Sequence, residues 1–221
     1  AGRASGWTAD LGLPPAPSIL LVDSVWQHSI HANAHIVSAA ITSTQLWLLV
    51  KWDQTDRLGY LYLVALLAGV GVSHHPITVW GLPAYILYIV VREPRILRRP
   101  WVLMGLVLSG VVGLAPWLYL PLRSPHVTFG PTDMATWRGF LRHATAQGLR
   151  VNLFHYGLAD QPDRWLVFGS LSNMQFGWLG LALIGLGAVT LLIERPKVAL
   201  LWGGFLLGHL VFTLNSVQDV M

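Results

Sequence analysis

The chain contains no cysteine, which excludes a disulfide framework, a thiolate metal site and a cysteine nucleophile. Charge is scarce too. Asp, Glu, Lys and Arg make up 11% of the 221 residues, against about 25% in soluble domains. A surface built from this composition cannot all face water. Phosphate-cradling and hydrolase signatures are missing: there is no P-loop, no G-x-G-x-x-G and no nucleophile elbow G-x-S-x-G. No inverted repeat of the transporter kind is visible in the sequence. The opening "AGRASGWTADLGLPPAPS" does not read as a signal peptide. With no initiator Met and an abrupt close at "NSVQDVM", we expect a piece of a longer protein.

What is abundant is apolar. Hydrophobic residues make up 54% of the chain, and there are 11 tryptophans, a residue enriched where membrane meets water. A bilayer core of about 30 Å takes about 20 apolar helical residues. That ruler predicts an all-α, polytopic transmembrane bundle of about six spans, over residues 34–52, 58–73, 77–91, 101–120, 176–193 and 198–214. The run "PSILLVDSVW" reads as the tail of an earlier helix. Residues 1–221 are expected to be part of one transmembrane domain, with four spans in 34–120, a non-cytoplasmic loop in 121–175 and a two-span hairpin in 176–214. The expected location is an integral, multi-pass membrane protein: the plasma membrane in a bacterium, or the endoplasmic reticulum membrane in a eukaryote.

The net charge of +4 does not point to nucleic acid, because the basic residues gather at the ends of apolar segments. Lys51 and Arg57 share one short loop, Arg92, Arg95, Arg98 and Arg99 a second, Arg195 and Lys197 a third. Short basic loops stay in the cytoplasm, and alternating helices put all three on one side. The opposite side then collects the histidines: His28, His31, His35, His74, His75, His126, His143, His155 and, in the outer half of the last span, His209.

"SHHP" is the sharpest local feature. Pro76 stops a helix, so His74 and His75 sit at a water-facing helix end, where an imidazole can donate to phosphate or accept a proton. Capping a turn is the bland alternative. His28, His31 and His35 share one face if their segment is helical. They could ligate zinc, copper or haem, or simply line an aqueous entry; we assign no metal site, though a divalent ion is compatible with the chemistry. Arg123 leaves the fourth span after two prolines, as a phosphate-gripping fork or as a snorkelling anchor. In the 121–175 connection, Trp137, Phe140, Leu141 and Ala144 form one apolar helical stripe, with Arg138 and Arg142 on another face. This predicts an interfacial amphipathic helix. Arg150 adds a further cation.

Four stretches in order, "SVWQHSIHANAHIVSAAITSTQLWLLVKW", "GVGVSHHPITVWGLPAYIL", "WLYLPLRSP" and "FGPTDMATWRGFLRHATAQGLR", resemble a family of multi-pass membrane proteins that includes an animal protein O-mannosyltransferase, within the GT-C superfamily of glycosyltransferases. The closing "VQDVM" is similar to a further family stretch. The resemblance implies transfer of a mannose-like sugar from a polyprenyl-phosphate donor to a protein acceptor on the non-cytoplasmic face. It implies that His74, His75 and Arg123 line the donor-phosphate cavity, to which we add His35, Arg138 and Arg142. The chain departs from the family pattern where Asn33 and His35 replace its Glu and Tyr, and where Asp133 is displaced within "FGPTD". The superfamily's catalytic Asp would precede residue 1. The chain therefore reads as an enzyme fragment, with a non-catalytic subunit of a larger membrane complex, holding haem or (bacterio)chlorophyll through histidine, as the alternative.

Overall fold

The computed structural model describes residues 34–126, 133–145, 147 and 152–217. Among the described residues the secondary structure is helical throughout, α or 3-10. The helices are α1 (Ala34–Thr55), α2 (Leu58–His74), α3 (Leu82–Arg92), α4 (Pro100–Gly113), α5 (Tyr119–Arg123), α6 (Trp137–Ala144), α7 (Gln161–Glu194) and α8 (Pro196–Asn215). Proline opens several of them: Pro76 starts the 3-10 turn leading into α3, and Pro100 and Pro196 start α4 and α8. A proline at a first helical position has its φ already set and lacks only an N–H that would go unsatisfied there.

Side-chain contacts fix the direction of each helix. The end of α1 meets the end of α3, where Arg92 donates to the Asp53 carboxylate and pairs with Asp56 at 3.1 Å. The start of α1 meets the end of α2, where the His35 and His75 ring centroids lie 5.0 Å apart. Thus α1 and α3 run one way and α2 the other. Tyr62 packs on Gly105 and Leu66 on Gly113, so α4 runs parallel to α2. Trp80 meets Gly208 and Ala84 meets Gly204, so α8 runs antiparallel to α3. Gln161 donates to Asn215 at 3.0 Å, so α7 starts where α8 ends. Lys51, Arg57, Arg92, Arg95, Arg98, Arg99, Arg195 and Lys197 therefore share one end of the bundle, and His35, His74 and His75 lie at the other.

The core sits between α1, α2, α3 and α8. Leu49, Trp52, Leu61, Tyr85, Tyr88, Ile96 and Leu201 are all within 2% of full burial. In contrast, α7 buries none of its residues and leaves Leu166, Trp178, Leu179, Leu186 and Ile193 exposed. That surface is apolar enough for lipid. Gly177 interrupts α7 with φ +62°, a left-handed conformation that glycine adopts without a Cβ penalty.

Two helical stretches are long and apolar enough to cross a membrane, Leu158–Glu194 and Pro196–Asn215. A third exists if Pro100–Gly113 and Ala115–His126, bent by 40°, count as one crossing. The expectation of about six spans is therefore not supported. The reasons are local. Helix α1 spends Ser38, Thr42, Thr44 and Gln45 where a lipid-facing helix would be apolar. Helix α2 has 17 residues, about 25 Å at 1.5 Å per residue. The third expected span is divided between the 3-10 turn Pro76–Gly81 and α3, which has 11 residues. The 121–175 connection is also shorter than its sequence suggests, because α7 begins at Gln161.

Helices α2 and α4 cross backbone to backbone. A Cβ on Gly69 would run into the Gly110 carbonyl and come within 2.8 Å of the Gly113 Cα, whereas one on Gly59 would meet nothing within 4 Å. Gly69→Ala is expected to destabilise by about 1–3 kcal/mol, the usual cost of overpacking. Gly59→Ala, in the same helix, should be neutral or stabilising by up to about 1 kcal/mol. Thermal unfolding of the two variants in detergent distinguishes them, and equal effects would remove the crossing as the cause.

Candidate functional site

Pro76 ends α2 and throws His75 into extended backbone, with φ −153° and ψ 128°. The residue is then held from several sides. Its N–H donates to the Gly71 carbonyl at 2.8 Å, and its own carbonyl accepts from the Thr78 N–H at 3.2 Å and from Thr78 Oγ1 at 3.0 Å. Thr78 is itself buried, packed where a side chain on Gly71 would have to go. The imidazole Nδ1 accepts the Ile77 N–H at 3.2 Å. In the neutral ring the proton is consequently on Nε2, leaving that nitrogen a donor. His75 is half-buried, and its ring tilts 57° against His35. Burial first, then the neighbouring His35 and His74, lower its pKa from the ordinary 6.5. His74 is exposed beside it. Three of the six sequence-predicted residues, His35, His74 and His75, are thus brought together by the start of α1 and the end of α2.

The arginines form a second group at the same end. The 3-10 turn Ala115–Leu118 packs on α2, and its Trp117 meets Phe140 of α6 edge-on at 6.1 Å. Thr136 caps α6 by accepting the Gly139 N–H at 3.1 Å, and the Asp133 carbonyl lies where a Gly139 side chain would go. Trp137, Arg138, Leu141, Arg142, Thr145 and Gln147 line a shallow open hollow of about 480 Å³. Arg142 leans on Asp133 at 3.7 Å, a loose pair between half-exposed groups. Arg123 ends α5, exposed. The apolar stripe expected on 137–144 is present in α6, with Trp137 73% exposed. Of the remaining sequence candidates, His28, His31 and Arg150 lie outside the described residues, and among the described residues no group of three His, Asp or Glu is arranged to hold a metal ion.

Two features of this end escaped sequence reading. Arg164 donates to the Thr213 carbonyl at 3.1 Å and lies over the Tyr156 ring at 4.4 Å, so it ties α7 to the end of α8. Trp80 packs against both Phe154 and Phe212, which anchors the 152–160 segment on the bundle. An aromatic residue in each of three distant stretches gives no pairing signal before folding.

Residues 10–97 match the family model for the Protein O-mannosyl-transferase TMEM260 N-terminal domain. The match supports the O-mannosyltransferase-like family read from the motifs. It covers less than half of the chain, and it includes His35, His74 and His75 but neither Arg123 nor α6. With two to three helices fit to cross a bilayer and a match to a membrane-associated transferase family, the chain is a membrane protein. No curated protein and no solved structure matches it.

The direction of the His75 shift sets a pH dependence. A histidine whose folded pKa lies below its unfolded value adds stability that is present above about pH 6.5 and is lost as pH falls through the folded value. Melting temperature should therefore fall on acidification from about pH 8 to about pH 5. In His75→Gln, which keeps an acceptor for the Ile77 N–H, the fall should be smaller. Identical slopes in the two proteins would contradict the shift.

Proposed function

We propose that the chain forms part of an integral-membrane glycosyltransferase that crosses the bilayer more than once and moves a mannose-like sugar from a polyprenyl-phosphate donor to a protein. The observation that carries this reading is the match over residues 10–97, which includes the fixed His35–His75 pair. The polarity of the bundle supports a side: the arginine-rich turns belong in the cytoplasm, so the histidine end is non-cytoplasmic. GT-C membership fits that arrangement.

Such a reaction needs a leaving phosphate stabilised and an acceptor hydroxyl deprotonated. His75 suits the first task. With Nδ1 engaged by the Ile77 N–H, Nε2–H is aimed by the backbone turn and is already a donor at neutral pH. A donor held this way costs little reorganisation when charge develops on the phosphate. Arg123, Arg138 and Arg142 supply permanent positive charge at the same end. Arg142 spends part of its charge on Asp133, so Arg123 and Arg138 are the stronger candidates for a phosphate.

Removing one such hydrogen-bond donor costs roughly 100-fold to 1,000-fold in turnover. We expect His75→Ala to lower sugar transfer from a polyprenyl-phosphate mannose donor by that order, and Arg123→Ala to act mainly through donor affinity. Unchanged turnover in both variants of the full-length protein would sink the site assignment. A visible absorption band in the purified protein would instead favour the pigment-holding subunit.

A further inference from the structure

The bundle end opposite the histidines carries a second unassigned surface. Eight of its side chains are basic, from Lys51 to Lys197, but they are not equivalent. Arg92 is neutralised: it grips Asp53 and Asp56 and lies over the Trp52 ring at 5.8 Å. Arg95, Arg98 and Arg99 are exposed and make no ion pair among the described residues. All three stand on or beside one 3-10 turn, Pro94–Arg98. That turn is a rigid platform rather than a loose link. Ile96 at its centre is 2% exposed and belongs to the hydrophobic core, and the Arg99 N–H donates to the Ile96 carbonyl at 3.0 Å.

The same platform presents apolar surface outward. Leu97 is 57% exposed and Trp101, the second residue of α4, is 77% exposed. Arg95 and Arg98 line a hollow of about 480 Å³ together with Pro94 and Glu93. Glu93 is the one carboxylate there, and its Oε1 turns inward, out of solvent. Guanidinium groups beside an outward Leu and Trp match one partner chemistry: a phosphate that comes with an acyl chain. An acidic protein segment would satisfy the arginines but leave Leu97 and Trp101 in water.

We propose that Arg95, Arg98 and Arg99, with Leu97 and Trp101, form a binding site for anionic phospholipid headgroups of the leaflet at this end. The phosphate is held by the guanidinium forks, Trp101 sits at headgroup depth, and Leu97 enters the acyl boundary. Clustered basic residues next to a membrane helix attract anionic lipid, and the attraction falls off within a Debye length. This surface is at the far end from the residues assigned to the sugar donor, so the two assignments stand or fall separately.

The test is native mass spectrometry of the full chain released from neutral detergent containing equal phosphatidylglycerol and phosphatidylcholine. The wild type should retain phosphatidylglycerol several-fold over phosphatidylcholine. Arg95→Gln/Arg98→Gln/Arg99→Gln should bring that ratio close to one, while Lys51→Gln/Arg57→Gln, at the same end but off that turn, should leave it unchanged. Equal loss in both variants would mean that net charge alone is read, and would overturn the site. Retention of selectivity in the triple variant would overturn it as well. So would displacement of the lipid by millimolar inorganic phosphate, since the site would then read the free anion and not the lipid. Binding of an acidic peptide in place of phosphatidylglycerol would assign the surface to a protein instead.

Discussion

Short links between apolar helices force neighbours to run antiparallel, and the rest of this structure depends on that constraint. Two residues, Asp56 and Arg57, separate α1 from α2, and one, His75, separates α2 from the 3-10 turn into α3. With so little chain, the helices can only turn back. Everything placed in alternate links then collects at alternate ends. The Arg92 grip on Asp53 and the His35–His75 contact report the same alternation from opposite ends. The first contact would be lost if α1 or α3 ran the other way, and the second if α1 or α2 did.

That alternation also explains how two kinds of cation coexist. The core-pinned turn carries guanidinium groups, the side chain suited to gripping a phosphate, whereas His75 is held toward its neutral form by burial and by its imidazole neighbours. A turn of guanidinium groups suits a constant partner such as a lipid surface. An imidazole with one nitrogen fixed as a donor suits a ligand that must be held and then released. The chemistry of each end follows from which residue type stands in which link, and the links are read directly from the sequence.

Much of this was legible beforehand, for a physical reason. The basic loops, the helix stop at Pro76 and the apolar stripe of 137–144 are local patterns, and local patterns survive without knowledge of tertiary contacts. What failed was the measure of length and polarity. Counting apolar residues placed a span at 34–52 and another at 77–91, but the first carries a polar stripe and the second is divided by a 3-10 turn. The pairing of Asp53 with Arg92 was invisible as well. Thirty-nine positions separate them, and only the packed bundle brings them together. Likewise, nothing in the helical spacing of Arg142 signals that Asp133 stands beside it.

The polar stripe of α1 is informative in its own right. His35, Ser38, Thr42 and Gln45 fall on one helical face, and Ser38, Thr42 and Gln45 are buried. A hydroxyl or amide placed in an apolar interior costs free energy unless it is hydrogen-bonded. Here Thr42 Oγ1 donates to the Ser38 carbonyl at 2.9 Å, and Gln45 Nε2 donates to the Val64 carbonyl of α2 at 3.2 Å. The stripe therefore faces protein, not lipid, and through Gln45 it binds α1 to α2. A hydropathy ruler penalises such a helix because it assumes that every face meets lipid. Of the polar residues that make α1 a poor span by composition, Gln45 is the one that ties it to the middle of α2, about three turns from where His35 meets His75, so the residue that counts against a span is the one that joins the two helices.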